Sequence, residues 1–277
     1  MVAVGVLLLA LLQPASVPAT PPSADARLQL GFNRMYALRF AEADAIFADW
    51  QAAHPDDPRG PVAEAAGLIF AEFNRLGVLE AEFYAEDARF TARRKISPDP
   101  ATRAKFKQCL ARAESLAQRR LDHNPRDRDA LFAMTLANGL EGDYLALVEK
   151  DNLGALRHTH EAALWAEKLL AGDPTYYDAY LATGISQYIV GSLFAPLRWL
   201  LRLRGYSGNR KDGIRNLKLA AEHGRLLAPF ARLLLAIADL RAGDQAGARR
   251  LLVGLRDDFP TNPLFAKEIA RLDRSGG

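Results

Sequence analysis

The chain has one cysteine, Cys109, among 277 residues, which excludes an internal disulfide, a multi-cysteine zinc site and a conventional iron–sulfur cluster. Histidine is scarce too, and only His158 and His160 stand close together. Two apart on a helix they point in different directions, and His158 with Glu161 supplies just two ligands, so no metal is expected. There is no phosphate-cradling Gly-rich loop, no Gly-x-Ser-x-Gly and no His-Glu-x-x-His. No catalytic residue and no cofactor are assigned, and the expectation is a protein without enzyme activity. Neither sign of charge dominates, with 36 Lys+Arg against 33 Asp+Glu, so nothing argues for a nucleic-acid partner. Val, Ile and Thr are few, whereas Ala, Leu and Arg are abundant and lose little side-chain freedom in a helix. An apolar fraction of 49% is too high for a disordered chain. The expected fold is therefore all-α.

The longest uncharged apolar run, Val2 to Leu12, falls well short of the roughly twenty residues a membrane-spanning helix needs. It matches the core of a secretory signal, followed by small-residue cleavage sites at Val17-Pro18-Ala19 and Ala24-Asp25-Ala26. The alternative, a first buried helix, is opposed by Pro14, Pro18, Pro21 and Pro22. Residues 1–26 are read as a signal peptide with a Pro-rich spacer and 27–277 as the folded domain, exported to the periplasm or cell envelope. Cys109 lies beside Phe106, Leu110 and Ala113 on the apolar side of a predicted helix, which makes it a packing residue.

A repeat organises the remainder. Leu30-Gly31, Ala43, Phe47 and Pro55 near one end have the same spacing as Leu235-Ala236, Ala248, Leu252 and Pro260 near the other. Small residues let two antiparallel helices approach, a bulky one fills the gap to the next pair, and proline ends the second helix. Pro125 and Pro174 mark two further boundaries, preceded in step by Ala113 and Ala162, although Ala117 and Ala166 stand where a bulky residue is expected. This pattern resembles the tetratricopeptide repeat (TPR), a helix pair of about 34 residues. The resemblance implies a right-handed superhelical array of helix-turn-helix units with insertions near Glu141 to Leu156 and Val190 to Lys211. Helices are predicted from Asp127, from Arg157 to Ala171, from Tyr176, from Asp212 to His223, and over 101–123, with a pair split near Gly77 and a terminal cap over Leu264 to Leu272.

In such an array the first helix of each pair lines a concave surface, so its inward positions would meet a ligand. They are Phe32, Met35 and Tyr36, then Phe132 and Leu136, then Leu181, Ile185 and Tyr188, then Leu233 and Ile237. The row is apolar and aromatic. It reads either as a groove for a protein or peptide partner, chiefly through Phe32, Met35, Tyr36, Phe132, Leu136, Ile185 and Tyr188, or as ordinary core beneath an insertion. Acidic Glu80, Glu82, Glu86 and Asp87 beside Phe83, Tyr84 and Phe90 read as a charged face next to a core stripe.

The second insertion holds a short helix, residues 193–204, opened by Pro196 and stopped by Gly205. Arg198 and Arg202 share a face, while Leu197, Trp199 and Leu200 crowd the rest. Such a helix docks on its own protein, lies on an anionic membrane surface or contacts a partner. Tyr188, Gly191-Ser192-Leu193, Pro196, Arg198 to Leu201 and Gly205 to Gly213 resemble a motif of the tetratricopeptide repeat protein 39 family, and the chain also resembles exported bacterial TPR proteins of unknown function. That resemblance implies membrane proximity and no catalytic residue. Two functions are expected: a scaffold binding a protein or peptide in the cell envelope or, alternatively, a peripheral membrane or lipid-binding protein.

Overall fold

The computed structural model describes residues 24–81, 98–193, 199, 201–203 and 205–275, and every regular element among them is a helix. Most of the export segment, the stretch Glu82 to Asp87, and Leu197, Arg198 and Leu200 lie outside the described residues. Successive helices pair: α1 (Ala24–Tyr36) with α2 (Phe40–Ala53), and α3 (Arg59–Arg75), trailed by the one-turn α4 (Val78–Ala81), with α5 (Pro100–His123). Three more pairs are α6 (Arg128–Tyr144) with α7 (Asn152–Gly172), α8 (Tyr180–Ser192) with α9 (Arg210–His223), and α10 (Ala228–Arg241) with α11 (Gln245–Asp258). A last helix, α12 (Pro263–Ser275), packs on α11. The second helix of each pair also touches the first helix of the next, and α1, α3, α6 and α8 meet in that order. The result is an inner layer of first helices and an outer layer of second helices.

One local device sets four of the boundaries. After α2, α5, α7 and α11 the chain runs through a capping residue and then Pro55, Pro125, Pro174 or Pro260. Each proline sits second in a turn closed by a backbone bond: Asp57 N–H to His54 O at 3.1 Å, Asp127 to Asn124 at 2.9 Å, Tyr176 to Asp173 at 3.2 Å and Asn262 to Phe259 at 3.0 Å. Proline presets φ for that position and cannot continue the helix. The residue closing the turn then starts the next helix in two of them: Asp127 caps α6 through Ala130 N–H at 3.0 Å, and Asn262 accepts from Leu264 N–H at 3.0 Å. The fifth boundary, between α9 and α10, has no proline. There the Asp178 carboxylate, at the start of α8, accepts the N–H groups of Arg225, Leu226 and Leu227 at 3.0, 3.1 and 2.8 Å, doing at a distance in sequence what proline turns do locally.

The small–large register is a packing fact. A Cβ placed on Gly31 would stand 2.3 Å from the Phe47 ring, and one on Gly184 would stand 2.9 Å from the Leu217 side chain. Ala43, Phe47, Ala236, Ala248 and Leu252 are all buried. The two insertions behave differently. Residues 141–156 form no separate loop: α6 runs to Tyr144, a π-helical turn covers Leu145–Glu149, and α7 starts at Asn152, five residues before the expected Arg157. Lys150, with φ 61°, and the Asp151 cap on Gly154 N–H make the reversal. In the second insertion α8 ends at Ser192 and α9 starts at Arg210, and between them Trp199, Leu201 and Arg202 are helical.

The two ends of the array meet. The Tyr36 hydroxyl donates to Leu226 O at 3.1 Å, Asn262 Nδ2 donates to Tyr36 O at 2.8 Å, and Thr261 Oγ1 donates to Ala37 O at 3.2 Å. The Tyr36 ring lies 5.7 Å from Phe259, and Phe70 lies 5.5 Å from Phe230. The last hairpin thus closes over the inner face of the first two.

Candidate functional site

Closure decides the fate of the aromatic row. Phe32, Met35, Tyr36, Phe132 and Leu136 are buried, and Ile185 and Tyr188 are half-buried. Phe32, Met35, Tyr36, Leu136 and Ile185 do converge, joined by Leu181, Phe70, Leu227 and Phe230, around a residual apolar cavity of about 50 Å³. Phe132 stands apart, its ring 5.2 Å from Tyr176. Tyr188 faces Arg210, which lies 5.6 Å from its ring. Among the described residues, Leu227 and Phe230 of α10 and the turn before it close over the row. Burial holds the Tyr36 phenol far above its ordinary pKa. It also pushes the Cys109 thiol up to about 12, consistent with a packing side chain.

In the short insertion Trp199 and Leu203 are 64% and 66% exposed, and Arg202 is exposed as well. Gly205 takes φ +86° and Tyr206 N–H reaches back to Leu201 O at 3.1 Å, so the helix stops at the glycine. Tyr206 then stacks on His160 at 4.2 Å, tying the segment to α7. His158 bonds Asn138 Oδ1 through Nδ1 at 3.1 Å. Among the described residues no three His, Cys, Asp or Glu side chains stand close enough to hold a metal ion. No helix among them is long and apolar enough to cross a membrane.

A larger opening lies elsewhere. All inner helices start at one end of the molecule, so the turns before them converge on a cleft of about 640 Å³. Its walls come from the start of α1 (Asp25, Leu28), of α3 (Arg59), of α6 (Asp127 to Asp129), of α8 (Thr175 to Asp178) and from the turn before α10 (His223, Arg225, Leu226). Its floor is an ion-pair network. Arg59, 14% exposed, holds Asp57 at 2.7 Å, Asp25 at 2.9 Å and Asp129 at 3.2 Å, and lies 5.6 Å from the Trp50 ring. Arg120 holds Asp127 at 2.9 Å.

Burial raises the Asp129 pKa, with Asp57 and Asp127 adding to the rise against the pull of Arg59 and Arg120. Burial likewise raises the Tyr176 phenol. Nearer solvent, Arg128 pairs with Asp173 at 2.5 Å and lies 5.4 Å from the Tyr176 ring, Tyr177 rests 4.8 Å from His223, and Arg126 is exposed. This is a surface of charged side chains and aromatic faces. Reading the inner-helix offsets did not single out Arg59, Asp129, Tyr176 or Asp178. The repeated proline turns carry the signal that finds them, since each delivers polar residues to the same end.

No family model matches the chain, and no curated protein matches it. The class that the structure defines is an all-helical protein of consecutive packed hairpins with a polar cleft at one end.

Proposed function

We propose that the chain is an exported TPR-like scaffold that binds a polypeptide partner in the cell envelope and catalyses no reaction. One observation carries this reading: a 640 Å³ cleft whose walls come from the inner-helix starts of all five hairpins. Repeat arrays recognise partners on such composite surfaces, because each unit repeats the same turn beside its neighbour. The inner and outer layers and the recurring Gly31–Phe47 and Ala236–Ala248–Leu252 register support a right-handed superhelix, wound tightly enough for its ends to touch. The apolar run before α1 supports export. Of the two cleavage sites, the one after Ala19 fits better, because cutting after Ala26 removes Asp25, which pairs with Arg59 and Arg225. The cleft, rather than the buried aromatic row, is then the contact surface.

Affinity capture from the envelope fraction tests this, with the intact protein beside Arg126→Glu and Tyr177→Ala, changes at the accessible rim. The expected result is a specific protein recovered by the parent and reduced about tenfold or more by either change. Equal recovery by all three overturns the cleft assignment. A second reading, contact with an anionic membrane, is favoured by the exposure of Trp199 and Leu203. It requires that the protein float with vesicles containing anionic lipid and that Trp199→Ala remain at the bottom; no flotation eliminates it.

A further inference from the structure

Where the ends of the array meet, a second opening of about 620 Å³ runs along the seam between α1, the first turns of α10 and the turn at Phe259 to Thr261. Leu30, Ala37, Pro229, Phe259 and Pro260 give it an apolar strip, and Leu30 is 42% exposed. Four guanidinium groups line it, those of Arg34, Arg39, Arg225 and Arg232, against a single lining carboxylate, Asp258. Carboxylates just outside reduce the imbalance without removing it. Glu42 is shared between Arg34 at 3.3 Å and Arg39 at 2.6 Å, and Asp25 lies 3.5 Å from Arg225. Asp258 holds Arg232 through Nη1 at 2.7 Å.

We propose that this seam groove binds an extended acidic segment of a partner polypeptide, its carboxylates on the arginines and its alternate side chains on the apolar strip. The inference rests on the polypeptide-binding reading above and adds the chemistry and the place of one contact. Charge complementarity is the argument for the occupant. It disfavours the chain's own leading segment, since residues 1–23 contain no acidic side chain.

The probe is a short fluorescent peptide alternating glutamate and leucine, with a glutamine-for-glutamate counterpart, titrated by anisotropy into the full chain. The expected outcome is binding of the glutamate peptide that weakens with added salt. The glutamine peptide and the double variant Arg34→Gln, Arg39→Gln should each bind about tenfold more weakly. Both arginines are partly exposed, at 37% and 45%, so the fold should tolerate the change, and an unaltered helical circular dichroism spectrum confirms it. Equal binding of the two peptides overturns the acidic preference and leaves the polypeptide reading standing. Binding lost with Tyr177→Ala but not with the arginine pair overturns the placement. No binding of either peptide overturns this inference, and it reaches the broader reading only if envelope capture fails as well.

Discussion

At the scale of single residues, His158 shows how burial converts into pH dependence. Burial lowers its pKa, Arg157 and Lys107 lower it further, and Glu141 and Glu161 oppose them. With Nδ1 on Asn138 Oδ1 at 3.1 Å and Nε2 near Arg157 Nη2 at 3.4 Å, the neutral ring fits: Nδ1 donates and Nε2 accepts. The unfolded chain protonates this histidine near about 6.5. Below that pH the unfolded state therefore holds more protons than the folded one. Stability from this group is complete above about 6.5 and is lost as the pH falls through the depressed folded value, with a slope of at most about 1.4 kcal/mol per pH unit. Denaturant titrations between pH 7.5 and 5 should show that decline, and His158→Gln should flatten it. An unchanged slope in the variant would place the proton uptake elsewhere.

At the scale of elements, glycines mark where helices touch and where they do not. Gly31 has the Phe47 ring against it, whereas Gly139, inside α6, has none of the described residues within 4 Å of where a Cβ would sit. Gly31→Ala should destabilise the protein by about 1–3 kcal/mol through overpacking. Gly139→Ala should stabilise it by about 0.5–1 kcal/mol, because alanine restricts the unfolded chain and meets no neighbour. Opposite shifts in thermal midpoint check the pair; a stabilising Gly31→Ala would mean that the two helices do not approach there, and a destabilising Gly139→Ala that a neighbour stands against Gly139. The close approach of α1 and α2 at Gly31 was legible in the sequence, as were the proline-ended hairpins, because spacing and turn chemistry are local; that Phe47 packs on Gly31 itself, rather than only toward the next pair, was not. The α9–α10 boundary was not legible, since Asp178 supplies its hydrogen bonds from the start of α8, 47 to 49 residues earlier in the chain. Residues 141–156 read as an insertion because the repeat length was exceeded, yet helical residues and one π turn absorb the excess.

At the scale of the molecule, the junction of first and last hairpins governs what the inner face can do. Spacing could predict that Phe32, Met35, Tyr36, Leu136 and Ile185 face inward together, and they do. Burial as ordinary core was one of the two readings, but spacing could not identify the last hairpin as the cover, because the seam bonds use the carbonyls of Tyr36, Ala37 and Leu226, groups that every residue carries. In an open array each terminal hairpin rests on one neighbour and frays on its own. In a closed one the two ends support each other, and loosening either should loosen both. Asn262→Ala tests this coupling, since it removes the 2.8 Å bond to Tyr36 O and leaves a buried carbonyl without that donor, at a loss of about 1–3 kcal/mol. Amide hydrogen exchange should then quicken in α1 and α12 together while α6 and α7 keep their protection. If α12 alone quickens, the seam is a contact without energetic coupling, and the inner aromatic face is held shut by α10 packing instead.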